Sequence, residues 1–193
     1  MISSTDIKLK IQELLKPFAE LAGSIGVSPN VITILGFLFS IFSGIAIALS
    51  NLTLGVIFFT ISGLCDMLDG IVARVNGKTT NFGSFLDSFL DRYADFFPLA
   101  GIATLGFYLQ DFNLFIFSLL SIVGSFATSY ARAKAESLGL ECKVGLLERP
   151  ERFFILLAGF LTGFLVEFLS ILAILSNFTA FQRLICAMEK LRK

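Results

Sequence analysis

Long apolar runs, broken only by short polar segments, follow one another along most of this chain. A helix needs about 20 mostly apolar residues to cross a bilayer, and backbone groups in lipid must pair within the structure. The pattern therefore predicts an all-α membrane protein with six transmembrane helices. The predicted spans cover residues 30–50, 52–75, 81–107, 112–133, 150–166 and 168–188. The fifth run is short, and the turn between the fifth and sixth spans is expected around residues 163–167.

The segment before the first span has a different pattern, with apolar residues at helical spacing and polar residues between them. Residues 4–22 are therefore expected to form an amphipathic helix on the membrane surface. Its apolar face is made of Ile7, Ile11, Leu14, Leu15, Phe18 and Leu21. Residues 1–24 lack the apolar stretch of a cleavable signal peptide. No linker composition divides residues 1–193, so we expect one domain: a juxtamembrane helix within 1–24 and a six-helix core over 30–188.

Composition supports this class and excludes others. The chain has 193 residues, is 55% hydrophobic and has a mean hydropathy of +0.85. Its net charge is zero, so nothing in the overall charge or motifs indicates a nucleic-acid partner. It has no histidine, which excludes imidazole-based catalysis and argues against zinc or copper chemistry. Cys65, Cys142 and Cys186 lie far apart among apolar neighbours and are expected to be buried thiols.

The distribution of lysine and arginine predicts the orientation. Basic residues occur before the first span, between spans two and three, between spans four and five, and at the end of the chain. The opposite loops, near Ser50, Asp111 and Glu167, contain none. By the positive-inside rule, both termini and the two basic loops are cytoplasmic. We therefore expect a multi-pass protein of the cell membrane.

Two pairs of aspartates lie at the cytoplasmic end of spans two and three. At about 100° per residue, Asp66 and Asp69 are about 60° apart on their helix, and Asp87 and Asp91 are about 40° apart. Each pair therefore projects from one helix face, and neighbouring antiparallel helices can bring the pairs together. Acidic residues inside a membrane are costly and usually functional. The oxygen ligands predict Mg²⁺ or Mn²⁺, with two ions bridged by shared carboxylates, in a cytoplasmic active site.

Three other interpretations of these acids remain open at this point. A structural network would pair them with Arg74, Lys78 and Arg92, but three bases do not comfortably balance five acids once Asp95 is included. A cation or proton pathway would use carboxylates, but it would not need glycine and arginine at fixed distances from them. A membrane prenyltransferase would use Mg²⁺ with a diphosphate substrate, but its usual motifs differ from the glycine, alanine and arginine pattern that accompanies these aspartates.

The fixed distances form a longer motif: Asp66-x-x-Asp69-Gly70-x-x-Ala73-Arg74, eight residues, then Gly83-x-x-x-Asp87-x-x-x-Asp91. This motif resembles the signature of the CDP-alcohol phosphotransferases at every defined position. The resemblance implies six transmembrane helices after a short amphipathic helix. It also implies transfer of a phosphatidyl-type group from a CDP-linked lipid to an alcohol, with release of CMP.

The resemblance implies roles for individual residues. Asp66, Asp69 and Asp87 would be metal ligands, while Asp91 would contact the second metal and take the proton from the attacking hydroxyl. The further CDP-lipid contacts would be Asn30, Val31, Ile32, Thr33, Gly70, Ala73, Arg74, Thr80 and Gly83. Taken alone, Asn30 and Thr33 are equally consistent with helix capping, and Gly83 is consistent with helix packing. Family members also form homodimers, and glycine pairs in this chain fit either close helix contacts or a dimer seam. These pairs are Gly36 and Gly44, Gly101 and Gly106, and Gly159 and Gly163.

A set of basic residues at predicted cytoplasmic helix ends bears on the acceptor. The set is Arg132, Lys134, Arg149, Arg152 and Arg183. Such a set can simply determine topology, but a phosphorylated acceptor would need a basic pocket of this kind. The segments "LDSFLDRYAD" and "ERPER" resemble the phosphatidylinositol phosphate and archaetidylinositol phosphate synthases of the family. That subgroup implies 1L-myo-inositol 1-phosphate as acceptor and CDP-archaeol or CDP-diacylglycerol as donor.

The alternative acceptor is glycerol 3-phosphate. The phosphatidylglycerol phosphate synthases more typically carry proline after the third aspartate of the motif and lysine after the fourth. Here these positions are Ser88 and Arg92, which favours the inositol phosphate acceptor.

Overall fold

Helices make up the fold of the computed structural model, which describes residues 17–24 and 26–192. No strand occurs in these two ranges, so the predicted all-α class is confirmed. The helices are α1 (Pro29–Ala48), α2 (Leu52–Val75), α3 (Asn81–Leu109), α4 (Phe112–Ser137), α5 (Arg149–Thr162) and α6 (Leu165–Leu191). Residues 17–24 are also helical. The rest of the expected surface helix over 4–22 lies outside the described residues.

Four helices, namely α1, α2, α4 and α6, are long and apolar enough to cross a membrane. The expectation of a membrane protein therefore stands, but six spans are not shown. Helix α5 has 14 residues and is about 21 Å long at 1.5 Å per residue, whereas the hydrocarbon core is about 30 Å thick. Helix α3 carries Asp87, Asp91, Arg92 and Asp95 in its first half, which lowers its apolar character.

The turn between α5 and α6 explains why the fifth helix is shorter than expected. Gly163 has φ 79°, a left-handed conformation that commonly ends helices at glycine. Helix α5 therefore ends at Thr162 instead of continuing to residue 166. At its other end, Glu148 and Glu151 form a reciprocal capping box, which starts the helix with Arg149.

Helix α1 determines how α2 and α3 are placed. It packs along both of them, whereas α2 and α3 touch each other over only a short stretch. Helices α1 and α3 approach closely at Gly44 and Gly101, where a Cβ on Gly101 would lie 2.3 Å from the Gly44 carbonyl oxygen. Because α1 holds α2 and α3 slightly apart, the acidic faces of these two helices border a gap.

The loop between α4 and α5 is tied to α6. A disulfide joins Cys142 to Cys186, with their Cα atoms 6.0 Å apart. The expectation of three buried thiols is therefore wrong for this pair, while Cys65 is a free, half-buried thiol. Arg183 Nε also donates to the Val144 carbonyl oxygen at 2.9 Å. This loop leads directly into α5, so its attachment to α6 helps to place the first turn of α5.

Removing this disulfide is expected to destabilise the protein. Its cysteines are 44 residues apart in sequence, and closing a loop of that size typically adds about 2–4 kcal/mol to the free energy of unfolding. The Cys142→Ala, Cys186→Ala double variant should therefore melt at a lower temperature than the wild type in detergent without reductant. Cys65→Ala is the matched control and should keep the wild-type response to reductant. Identical melting of the wild type with and without reductant would contradict the prediction.

Candidate metal centre and active site

Carboxylates from α2 and α3 converge at the gap between these helices. One oxygen each from Asp66, Asp87 and Asp91 lies within 4.8 Å of the others. The helical spacing predicted that each helix would present its acids on one face, and the packing on α1 brings the two faces together. Three carboxylate oxygens at this separation can share one or more cations.

Asp69 lies one turn beyond Asp66 on α2 and has only 6% of its surface exposed. Its Oδ2 atom is buried and has no hydrogen-bond partner among the described residues. A buried carboxylate oxygen without a partner is energetically costly, and a bound cation would remove that cost. The donors of Asp66, Asp69, Asp87 and Asp91 are all hard oxygens, which suit Mg²⁺ or Mn²⁺. The residues present therefore fit a divalent metal centre.

Arg149, the first residue of α5, reaches into this acidic group. Its guanidinium pairs with Asp66 through Nη1, with Asp91 through Nη2 at 3.1 Å and with Asp95 through Nε at 3.4 Å. Arg152, one turn later, donates from Nη2 to Asp95 Oδ2 at 2.9 Å. Within residues 26–192, these two arginines make the ion pairs of the aspartates. The structural network considered from the sequence would have used Arg74, Lys78 and Arg92 as partners. Of these three, Arg92 donates to Ser129 Oγ at 2.7 Å.

A cavity of about 620 Å³ opens beside the aspartates. Charged and motif residues line part of it, and apolar residues from α2, α3, α5 and α6 line the rest. The polar group comprises Asp66, Asp69, Gly70, Arg74, Asp87, Asp91, Asp95, Arg149, Glu151 and Arg152. The apolar group includes Phe59, Met67, Leu99, Phe153, Phe154, Leu156 and Leu172. A cavity with both kinds of lining suits an amphiphile that has a charged head group.

The residues expected to contact the nucleotide lie in two places. Gly70 is in the cavity lining, and a Cβ there would lie 3.3 Å from Nη1 of Arg74, so the glycine lets this arginine lie across the helix. Gly83 lies outside the cavity lining, and a Cβ on it would lie 3.0 Å from both Asn30 Oδ1 and Thr80 Oγ1. The structure thus brings Asn30, Thr80 and Gly83 together where α1 and α3 begin.

Several of these positions also have local structural roles. Thr80 caps α3 by accepting a hydrogen bond from the Gly83 N–H at 2.9 Å. Thr33 donates to the Pro29 carbonyl oxygen at 3.1 Å, and Ile32 is buried in a small apolar cluster. Val31 is 48% exposed, and Ala73 is half-buried.

The five basic residues expected to bind an acceptor phosphate are divided by the fold. Arg149 and Arg152 line the cavity, whereas Arg132, Lys134 and Arg183 do not. Arg132 pairs with Glu136 at 2.9 Å on the surface of α4, and Lys134 is exposed. Arg183 is buried and donates to two backbone carbonyl oxygens, that of Val144 at 2.9 Å and that of Thr128 at 2.8 Å. Helical spacing placed Asp95 one turn beyond Asp91 on the same helix, but the sequence did not indicate that Arg149 and Arg152 would be its partners.

Comparison with known families gives an extended match. The CDP-alcohol phosphatidyltransferase family model matches residues 26–182. An archaetidylinositol phosphate synthase of Methanothermobacter thermautotrophicus is 38% identical over 188 residues, covering 94% of this chain and 92% of the relative. Another, from Pyrococcus horikoshii, is 34% identical over 186 residues and covers 96% of each chain.

Solved structures of a related enzyme are also similar to this chain over most of its length. The crystal structure of Mycobacterium tuberculosis phosphatidylinositol phosphate synthase with CDP-DAG bound has a TM-score of 0.82 and 33% identity, covering 91% of this chain and 94% of that one. The structure of the same enzyme with manganese and citrate has a TM-score of 0.81 and 33% identity, covering 90% of this chain and 88% of that one.

Proposed function

Because this chain belongs to the CDP-alcohol phosphatidyltransferase family, we propose that it transfers the lipid phosphoryl group of a CDP-linked lipid to 1L-myo-inositol 1-phosphate and releases CMP. The observation that carries this proposal is the convergence of Asp66, Asp87 and Asp91 beside two arginines in a cavity with both charged and apolar walls. The donor would be CDP-archaeol or CDP-diacylglycerol, since the apolar walls suit either type of lipid tail.

The negative charge of the donor diphosphate must be neutralised, and divalent cations held by the aspartates would do this. Asp66, Asp69, Asp87 and Asp91 would hold two Mg²⁺ or Mn²⁺ ions, whose charge would neutralise the diphosphate and stabilise the departing phosphate. Arg74 would add a charge-assisted contact to the diphosphate. Asn30 to Thr33, Ala73, Thr80 and Gly83 would border the cytidine end. The small side chains at Gly70 and Ala73 would let the nucleotide lie close to α2.

The acceptor hydroxyl needs a base, and we assign this role to Asp91. Its carboxylate would take the proton from an inositol hydroxyl, and the resulting oxygen would attack the lipid-side phosphorus. The bond from that phosphorus to the bridging oxygen of the diphosphate would break, and CMP would leave. The product would keep the phosphate that the acceptor brought, and no covalent enzyme intermediate is required.

The choice of acceptor rests on charge and on relatives. Arg149 and Arg152 line the cavity and would bind the acceptor phosphate, with Arg132, Lys134 and Arg183 further away. Relatives covering most of the chain are named archaetidylinositol phosphate synthases. Glycerol 3-phosphate is the alternative, because it also brings a phosphate. A cation pathway is disfavoured, because an arginine guanidinium lies among the carboxylates that would conduct the ion.

We also propose how the protein sits in the membrane. Both termini and the active site would face the cytoplasm, as the distribution of basic residues predicts. Helices α3 and α5 would complete six crossings, the short α5 relying on packing against α6. A homodimer would use a seam away from Gly44 and Gly101, because these glycines already support a contact within one chain.

An acceptor panel tests the proposed reaction. The purified chain would be given labelled CDP-archaeol or CDP-diacylglycerol, Mg²⁺, and inositol 1-phosphate, inositol, serine or glycerol 3-phosphate. We expect CMP release with inositol 1-phosphate to exceed release with inositol by at least ~10²-fold, because loss of the phosphate leaves buried polar groups unpaired. A preference for glycerol 3-phosphate would support the alternative acceptor. CMP release with none of the four would contradict the transferase proposal and favour ion transport.

A further inference from the structure

Arg149 has an unusual position for a residue expected to bind a substrate phosphate. It starts α5, yet its three donor positions are directed at carboxylates of α2 and α3: Nη1 at Asp66, Nη2 at Asp91 and Nε at Asp95. Its side chain is 24% exposed, and Nε is buried without a hydrogen-bond partner among the described residues. In this arrangement the guanidinium is turned towards the acids on each edge, so it is not available to an anionic ligand.

Two of the three partners of Arg149 are also members of the candidate metal group. Asp66 and Asp91 belong to the trio whose oxygens lie within 4.8 Å of one another. A divalent ion held by these oxygens would lie only a few ångströms from the guanidinium, and like charges at such distances repel strongly where water is scarce. The arrangement of Arg149 seen here and occupation of the metal centre are therefore in competition.

The third partner suggests where Arg149 would go. Asp95 is outside the trio and is also held by Arg152 at 2.9 Å. The contact between Arg149 and Asp95 can therefore persist when Asp66 and Asp91 bind a cation. Movement about this contact would free Nη1 and Nη2 while keeping the guanidinium in the cavity, where an acceptor phosphate would bind.

We propose that Arg149 is the internal counter-ion of the metal-free centre, and that divalent cations release it to bind the anionic group of the acceptor. In this role Arg149 couples the binding of the two ligands. Metal and phosphorylated acceptor then bind with positive coupling, and each raises the affinity of the other by the same factor. The acceptor half of this proposal rests on the proposed function, while the metal half does not.

The metal half is tested by Mn²⁺ binding to the purified full chain, with free Mn²⁺ measured by electron paramagnetic resonance. Arg149→Gln removes the competitor and should lower the dissociation constant for Mn²⁺ by about tenfold or more, since ~1.4 kcal/mol corresponds to a factor of ten. Arg149→Lys keeps the charge but presents a single ammonium group and should give an intermediate value. Lys143→Gln is the control, because it removes one positive charge from a surface lysine that is 66% exposed. Unchanged or weaker Mn²⁺ binding by Arg149→Gln would overturn the proposal.

Thermal unfolding separates a released arginine from a fixed ion pair. In EDTA, Arg149→Gln should melt well below the wild type, because its carboxylates lack a counter-ion. In saturating Mn²⁺ the two proteins should melt at nearly the same temperature. A deficit of the same size under both conditions would mean that Arg149 stays on the carboxylates, and this outcome would also overturn the proposal. Arg149→Lys provides the same comparison if the glutamine variant does not fold without metal.

The coupling is tested by repeating the Mn²⁺ titration with inositol 1-phosphate and with inositol. The wild type should bind Mn²⁺ several-fold more tightly with the phosphorylated compound only, and most of this gain should be lost in Arg149→Gln. An equal gain in both proteins would overturn the released-arginine step. The manganese titration alone uses neither donor nor acceptor, so its result is independent of whether the proposed transfer reaction is correct.

Discussion

Asp91→Asn is expected to lower CMP release by at least ~10³-fold while leaving CDP-lipid binding within a few-fold of the wild type. General bases typically contribute 10²–10⁴-fold, and the amide cannot take the proton from the acceptor hydroxyl. The Asp91 oxygen also lies within the carboxylate trio, so part of the loss would come from weaker metal binding. Single-turnover CMP release measures the chemical step, and equilibrium binding of labelled CDP-lipid measures donor affinity. Both measurements are made at saturating Mg²⁺.

Asp111→Asn is a matched control for this change. Asp111 caps α4 by accepting a hydrogen bond from the Leu114 N–H at 3.0 Å, and asparagine keeps an oxygen that can accept it. Its activity should therefore stay within about twofold of the wild type. If Asp91→Asn instead lost donor binding and turnover to the same extent, the main role of Asp91 would be to hold metal, and the base assignment would be wrong.

Asp69→Asn is expected to reduce turnover by at least ~10²-fold and to raise the Mg²⁺ concentration needed for half-maximal activity. Its buried Oδ2 atom lacks a hydrogen-bond partner among the described residues, and a neutral amide would bind a hard cation more weakly than a carboxylate. The measurement is CMP release over a range of Mg²⁺ concentrations, with residual metal first removed by EDTA.

The outcome for metal dependence separates this role from a structural one. If Asp69→Asn had the wild-type Mg²⁺ dependence but a lower melting temperature, Asp69 would support the fold and would not bind the metal. Restoring part of the activity of Asp69→Asn with Mn²⁺, which binds many sites more tightly than Mg²⁺, would support the metal role. In both cases the melting temperature is measured on the same preparation.

The sequence was most informative where function depends on local helical spacing. Asp66 and Asp69, like Asp87 and Asp91, are separated by about one turn, so their sharing of a face follows from helix geometry alone. The α2 bounds, residues 52–75, were predicted as the structure has them. The glycine-ended α5 was shorter than predicted, because a left-handed turn at Gly163 interrupted an otherwise apolar run.

The partners of these residues were harder to predict, because they come from distant parts of the chain. Nothing in the local pattern indicated that Arg149, at the start of α5, would pair with Asp66 and Asp91. The disulfide between Cys142 and Cys186 was missed for the same reason. Arg183 was expected near an acceptor phosphate, but its side chain donates to backbone carbonyl oxygens, a role that depends on the path of the neighbouring loop.

The amino-acid sequence by itself determined the all-α class, the membrane environment and which helix faces carry the acids, because hydrophobicity and helical period act over a few turns. Tertiary structure alone decided the gap between α2 and α3, since it arises from both helices packing on α1. It also decided which arginine enters that gap. Contacts between residues far apart along the chain depend on how whole helices pack, and this packing is a property of the assembled fold and of no single segment.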